Sequence, residues 1–163
     1  MTKSNEMFAR SGYCVEDSVG YLLARARTKL AKAVDVELAP LDITHAQGSI
    51  VMMLASGKYA TAAELARELY IDSASMTRMI DRLEKRGLIE RVPCCNDRRV
   101  INLRLTQAGQ ALADELPNRY VGVLNRNFSE FSADEVCTLK TLLRKLLDGG
   151  TASATESTDK TGK

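Results

Sequence analysis

The sequence predicts a mainly α fold with one small β-hairpin, an α+β arrangement in which helices surround a short two-stranded wing. Three observations carry this. Apolar residues recur at spacings of three and four over most of the chain. Two short segments, residues 88–92 and 100–105, alternate apolar and polar instead. Three helix starts carry the S/T-x-x-E/Q pattern that satisfies free N–H groups at a helix N-terminus.

Taken in order, residues 1–15 are polar and read as a flexible N-terminal arm. From about residue 16 to 38, Val19, Leu22, Leu23, Ala26, Leu30, Ala33, Val34 and Leu38 mark a long amphipathic helix that ends before Pro40. Thr44-His45-Ala46-Gln47 is the first capping box and opens an apolar helix through residues 50–55, stopped near Gly57. Thr61-Ala62-Ala63-Glu64 is the second and opens a helix through Leu65, Ala66 and Leu69. Asp72-Ser73 starts the next helix, with Met76, Met79, Ile80 and Leu83 on its inner face and Gly87 as its stop. The alternating segments then form a hairpin around the polar loop 93–99.

Thr106 begins a helix carrying Ala111, Leu112, Leu116, Tyr120, Val123, Leu124 and Phe128, with Pro117 expected to kink or divide it. Ser132-Ala133-Asp134-Glu135 is the third box and opens a helix bearing Val136, Leu139, Leu142, Leu143, Leu146 and Leu147. Residues 149–163 have no apolar face and are expected to be a disordered tail. Residues 16–148 therefore form a single folded domain. The order helix, helix, helix, hairpin at about 44–105 is that of a winged helix-turn-helix, flanked by helices at about 16–38 and 106–147.

Composition limits the function. The chain has 163 residues, 45% of them hydrophobic and 27% charged, ordinary values for a globular protein. The longest apolar run, residues 50–55, is far below the ~20 residues of a membrane span, and the N-terminus lacks a secretory signal's apolar stretch. A cytoplasmic, non-membrane protein is expected. Cys14, Cys94, Cys95 and Cys137 follow no disulfide framework and are expected as free thiols. Cys137, among leucines, is expected to be a small core filler. One histidine and no phosphate loop or nucleophile motif leave no assembled catalytic group, so no enzyme, cofactor or metal is expected. The net charge is +2, but residues 73–104 hold eight basic and four acidic groups, a local +4 within an otherwise mildly acidic chain. Such clustering suits an anionic partner at one place.

Between Thr61 and Gly109 the sequence closely resembles the MarR family of bacterial transcription regulators. The resemblance is carried by the helix-turn-helix through Ala63-Glu64-Leu65-Ala66-Arg67-Glu68-Leu69-Tyr70-Ile71-Asp72 and Ser73-Ala74-Ser75-Met76-Thr77-Arg78-Met79-Ile80, by Asp97-Arg98-Arg99 as a D-x-R wing tip, and by Leu105-Thr106-Gln107-Ala108-Gly109 as an L-T-x-x-G entry to the next helix. It implies a homodimer whose terminal helices interlock, bound to a palindromic operator in double-stranded DNA, most simply as a repressor. The leucine stripe at 139–147, wider than one small domain needs, agrees with a dimer. On the helix starting at Ser73, Ser75, Arg78, Arg82 and Lys85 oppose the apolar face, with Ala74 and Thr77 on its flank. Arg78 is expected to read guanine, and Arg82 and Lys85 to meet phosphates. The D-x-R match implies that Arg99 enters the minor groove with Asp97 as its brace, leaving Arg98 for phosphate.

Family members release DNA on binding a small aromatic acid or on cysteine oxidation. His45 at a helix start, with Arg25 for the carboxylate and Met52 against the ring, are the expected effector residues. Two alternatives stand beside this: a redox-sensing repressor using Cys14, and a winged helix serving protein interaction without DNA. The operator, the regulated genes and the effector's identity are not written in the sequence.

Overall fold

The computed structural model describes residues 12–94 and 99–149. It contains α1 (Val19–Leu38), a short 3₁₀ turn (Ala39–Leu41), α2 (His45–Ala55), α3 (Ala62–Leu69), α4 (Ser73–Lys85), β1 (Ile89–Pro93), β2 (Ile101–Leu105), α5 (Gln107–Asn127) and α6 (Ala133–Gly149). The mainly helical fold with a two-stranded antiparallel hairpin is therefore present. Among the described residues no helix is long and apolar enough to cross a membrane.

The chain divides into two compact units, one up to Leu124 and one from Asn125, so the division falls inside α5. In the first, α1 packs on α2, α3 on α4, α2 on β2 and α4 on β1. The core is built from Val34 and Leu38 of α1, Ile50, Val51 and Leu54 of α2, Leu65 of α3, Met76, Ile80 and Leu83 of α4, and Leu116 and Val123 of α5. Ile89 and Leu103 close it from the hairpin, whose register pairs Ile89 with Leu105 and Arg91 with Leu103. The Leu103 N–H also donates to the Ala60 carbonyl at 2.6 Å, tying the wing to the segment before α3. In the second unit, Phe128 and Phe131 meet edge to face with ring centroids 5.0 Å apart, and α6 buries none of its residues.

The capping boxes explain where helices begin. At α2 the Thr44 hydroxyl accepts from Gln47 N–H while Gln47 accepts from Thr44 N–H. At α3 Thr61 and Glu64 repeat the exchange, and at α6 Ser132 and Glu135 do so at 3.2 and 2.8 Å. The first helix starts at Val19, three residues later than its apolar rhythm predicts, because Ser18 is its N-cap and accepts from Tyr21 N–H.

Three expectations need correction. Pro117 does not divide α5, which runs unbroken from Gln107 to Asn127. A proline removes one backbone donor, and the flanking Ala113, Leu116 and Val123 are buried on the same face and carry the helix through. Pro93 belongs to β1 and not to the loop; it ends an edge strand, where a missing N–H is tolerated. Cys137 is exposed, since the leucines around it on α6 bury nothing within the chain.

Candidate nucleic-acid interface

Two left-handed residues frame α4. After α3 the chain turns through Tyr70 at φ 52°, with Ile71 N–H donating to the Ala66 carbonyl at 3.0 Å and Tyr70 N–H to that of Arg67 at 3.4 Å. That is the Schellman pattern, normally closed by glycine. Two residues later Asp72 caps α4, its carboxylate accepting from Ser75 N–H at 2.8 Å, and this backbone bond holds its pKa below the ordinary value. At the other end Gly87 (φ 68°) closes a second Schellman turn, Leu88 N–H reaching the Leu83 carbonyl.

Beyond that turn the L-T-x-x-G motif acts as a joint. The Thr106 hydroxyl donates to the Gly87 carbonyl at 2.6 Å and accepts from Gly109 N–H at 3.1 Å, while Thr106 N–H donates to the Leu88 carbonyl. A β-carbon on Gly109 would stand 1.9 Å from that same carbonyl oxygen, so glycine is required there.

With Met76, Ile80 and Leu83 buried, α4 turns Ser73, Ala74, Thr77, Arg78, Arg82 and Lys85 outward, and Ser75 is half-buried. The Arg78 guanidinium donates to the Ser75 hydroxyl at 3.0 Å, and the Thr77 hydroxyl donates back to the Ser73 carbonyl. Arg99 is exposed at the end of the wing loop. Asp97 and Arg98, and with them the bracing of Arg99 by Asp97, lie outside the described residues.

Two arginines that sequence reasoning counted only as charge are structural. Arg86 donates to the carbonyls of Asp42 and, at 3.0 Å, Leu41, fastening the end of α4 to the turn after α1. Arg91 of β1 reaches Asp81 at 2.6 Å and also Glu84, both on α4. The hydrogen bond to Asp81 is the main reason its guanidinium is held more firmly in the charged form. Asp81, four residues before Lys85 on α4, is thus paired with Arg91 of the hairpin. No local spacing announces either contact, since Arg86 reaches across more than forty residues and Arg91 across a strand turn.

The three effector candidates are not brought together within one chain. His45 lies at the N-terminus of α2, but its backbone N–H donates to the Asp35 carboxylate at 2.6 Å, so the protein's own anion occupies that end. Arg25 stands ten residues before Asp35 on α1, about 15 Å along the helix. There it lies over the Tyr21 ring, 5.7 Å from its centroid, in a separate hollow lined also by Lys29 and Lys32. Met52 packs against the core. Beside His45 a second hollow is lined by Asp35, Asp42, Ile43, Thr44, Gln47, Arg82, Lys85 and Arg86, two exposed cations of α4 among them. The Cys14 thiol is exposed and donates to the Glu16 carboxylate at 3.3 Å, the opposite of the electropositive setting that favours a thiolate.

Residues 43–101 match the MarR family model, the stretch from the start of α2 into the hairpin. The chain is 34% identical over 130 residues to the multiple antibiotic resistance protein MarR of Escherichia coli, covering 79% of this chain and 90% of that protein. It is 28% identical over 137 residues to the organic hydroperoxide resistance transcriptional regulator of Bacillus subtilis, covering 82% and 90%. A solved structure of an E. coli MarR cysteine-to-serine mutant complexed with operator DNA superposes with a TM-score of 0.72 at 33% identity, covering 78% of this chain and 92% of that one. The chain belongs to the MarR family of winged-helix transcriptional regulators.

Proposed function

We propose that the protein binds a palindromic operator in double-stranded DNA as a homodimer and represses transcription until a small anionic effector releases it. The observation that carries this is the two-faced α4: Met76, Ile80 and Leu83 anchor one side while Arg78, Arg82 and Lys85 stand free of the core on the other. The relative of known structure bound to operator DNA supports the reading. Short residues at the start of α4, Ser73, Ala74, Ser75 and Thr77, leave room for the helix to approach base edges. Arg78, exposed immediately after Thr77, is the base reader, able to meet guanine O6 and N7 through its fork. Arg82, Lys85 and Arg98 neutralise phosphates, and Arg99 enters the minor groove with Asp97 beside it.

The effector reading rests on the hollow beside His45. An organic anion held there by Arg82 and Lys85 takes cations away from DNA and bridges α4 to α1 and α2. It need only favour the DNA-free arrangement; each 1.4 kcal/mol of that preference lowers DNA affinity tenfold. Arg25, with Lys29 and Lys32, offers a second place for a carboxylate. Oxidation at Cys14 is disfavoured by Glu16. The dimer is built from the terminal helices.

Fluorescence anisotropy on a duplex from the region upstream of its own gene tests the DNA reading. Arg78→Ala is expected to lose about 1–3 kcal/mol on the operator and relax one base preference, and Arg99→Ala to weaken binding most beside A·T-rich flanks. Half-sites are expected about 34–36 Å apart. Binding that ignores salt, or two variants that match the parent at equal salt, makes the winged helix a protein-interaction module instead.

A further inference from the structure

Two carboxylates stand on the helix that carries the proposed DNA contacts. Successive helical residues turn by about 100°, which places Asp81 about 60° from Arg78 and about 40° from Lys85 around α4. Glu84 lies a further 60° round, about 100° from Lys85, and is half-buried. Left bare, Asp81 above all would present negative charge to the phosphates that Arg82 and Lys85 are there to meet, with Glu84 adding to it from the flank.

Neither is bare. Arg91 lies in β1 with Leu103 as its cross-strand partner, and Leu103 is a buried core residue that fixes the strand against the rest of the wing. From there one guanidinium donates through Nη2 to Asp81 Oδ1 at 2.6 Å and through Nη1 to Glu84 Oε2. Both arms of the fork are thus occupied by carboxylates on α4. A lysine, with a single point charge, does not span two acceptors in this way. Arg91 and Glu84 keep about a third and Asp81 more than half of their side-chain surface in water, at 33%, 37% and 54%, so the triad contributes little to folding stability. Its consequence falls on the approach of a polyanion.

We propose that Arg91 is a positioning residue for DNA recognition: it masks Asp81 and Glu84 from the phosphates and fastens the wing's first strand to the recognition helix, without itself touching DNA. This rests on the DNA reading above. To reach a phosphate, Arg91 would have to abandon two charge-assisted hydrogen bonds. Holding them, it sets the distance between the helix that reads the major groove and the wing that carries Arg99.

The test is a double-mutant cycle of the full-length parent, Arg91→Met, Asp81→Asn/Glu84→Gln, and all three together. The probe is a fluorescein-labelled duplex that the parent enriches from a random pool, titrated across a salt series. Arg91→Met is expected to weaken binding about tenfold, Asp81→Asn/Glu84→Gln to stay within about twofold of the parent, and the combined variant to recover to within about threefold. That coupling is the signature of masking, and a merely structural strand residue would not be rescued by neutralising carboxylates. If removing the carboxylates improves binding by the same factor with and without Arg91, the charges act independently and the proposal fails. It also fails if the salt slope of the combined variant drops by about one relative to the parent, which marks Arg91 as a phosphate contact. Should the methionine variant not fold, Arg91→Lys takes its place; parent-like affinity there overturns the need for the fork. A parent that enriches no duplex overturns the DNA reading itself, whereas a parent that binds with an additive cycle overturns only this inference.

Discussion

Helices α3 and α6 begin with the same device and end in different situations. Thr61 and Glu64 cap the eight residues of α3, Ser132 and Glu135 the seventeen of α6. The short helix buries Leu65 completely and has Ala62, Ala66 and Leu69 packed against the core. The helix twice as long buries nothing, and its Leu142, Leu146 and Leu147 are 58%, 56% and 65% exposed. Local chemistry therefore starts a helix equally well in both places, while burial decides which region is complete within one chain. The region from α2 to β2 is covered together with Val34 and Leu38 of α1 and Leu116 and Val123 of α5. The last helix carries an apolar stripe left exposed among the described residues, and the proposed homodimer would cover it with a second copy of the chain.

The largest effect is expected on that stripe. Because Leu142 and Leu146 are exposed within one chain, replacing both with Asp costs little there, under about 0.5 kcal/mol each at an ordinary surface position. In a dimer the same changes bury unpaired charge. Light scattering is expected to show the parent as a dimer and Leu142→Asp/Leu146→Asp as a monomer with unchanged helical circular dichroism and no operator binding. A monomeric parent, or a variant that still dimerises, removes the contrast between the two regions.

Next in size is the joint between them along the chain. Gly109→Ala places a methyl 1.9 Å from a backbone carbonyl that is itself held by Thr106 N–H, so the start of α5 has to move off the turn after α4. Overpacking of this kind costs about 1–3 kcal/mol, read as a lower urea midpoint. Thr106→Ala loses two hydrogen bonds at the same joint and is expected to cost less. If Gly109→Ala melts like the parent, the close approach does not exist.

Acid sharpens the comparison of the caps. Glu64 accepts from the Ala60 and Thr61 N–H groups, both at 2.9 Å, and these bonds hold its pKa below the ordinary 4.5. Glu135 is lowered in the same direction by Ser132. A carboxyl depressed in the folded state stabilises fully above its unfolded value and loses that contribution as pH falls through the folded one. Melting temperature is therefore expected to be flat above about pH 4.5 for these groups and to fall below it. Glu64→Gln, which still accepts one hydrogen bond, is expected to start slightly lower at neutral pH and fall less steeply in acid. An equal acid slope in the variant would show that Glu64 is not depressed.

The features legible in the sequence are those whose cause lies within four residues. Each capping box is a reciprocal bond between positions three apart, and the glycine at 87 is needed by one backbone angle, so pattern alone locates them. The exposed face of α4 follows from the spacing of Met76, Ile80 and Leu83 for the same reason. What the sequence does not announce depends on partners brought together by folding. Arg91 and Arg86 read only as positive charge until β1 lies beside α4 and the turn at Asp42 lies beside its end. Arg25 and His45 read as one acid-binding pair until α1 separates them and Asp35 takes the His45 N–H. Cys137 reads as core because its neighbours are leucines, and apolar spacing alone does not distinguish a stripe covered by its own chain from one left outside.

The smallest effect is expected at Tyr70, and it bears on whether the self-sufficient region is as relaxed as its burial suggests. The turn between α3 and α4 holds this residue left-handed at φ 52° with its ring 90% exposed. A left-handed residue with a β-carbon costs roughly 1–2 kcal/mol relative to one in the right-handed region. Glycine escapes that cost but loses more backbone freedom on folding, which takes back up to about 1 kcal/mol. Tyr70→Gly is thus expected to raise stability by a few tenths to about 1 kcal/mol, measured by urea denaturation at neutral pH. The exposed ring contributes almost no burial to offset this, since the turn is closed by backbone bonds from Tyr70 and Ile71 that glycine also makes. Operator affinity decides what the strain is for. Unchanged affinity leaves the tyrosine as idle strain, whereas a more stable variant that binds DNA several-fold less well assigns the ring, two residues from the cap of α4, to the DNA surface. A less stable glycine variant would mean that the turn is not left-handed at this position.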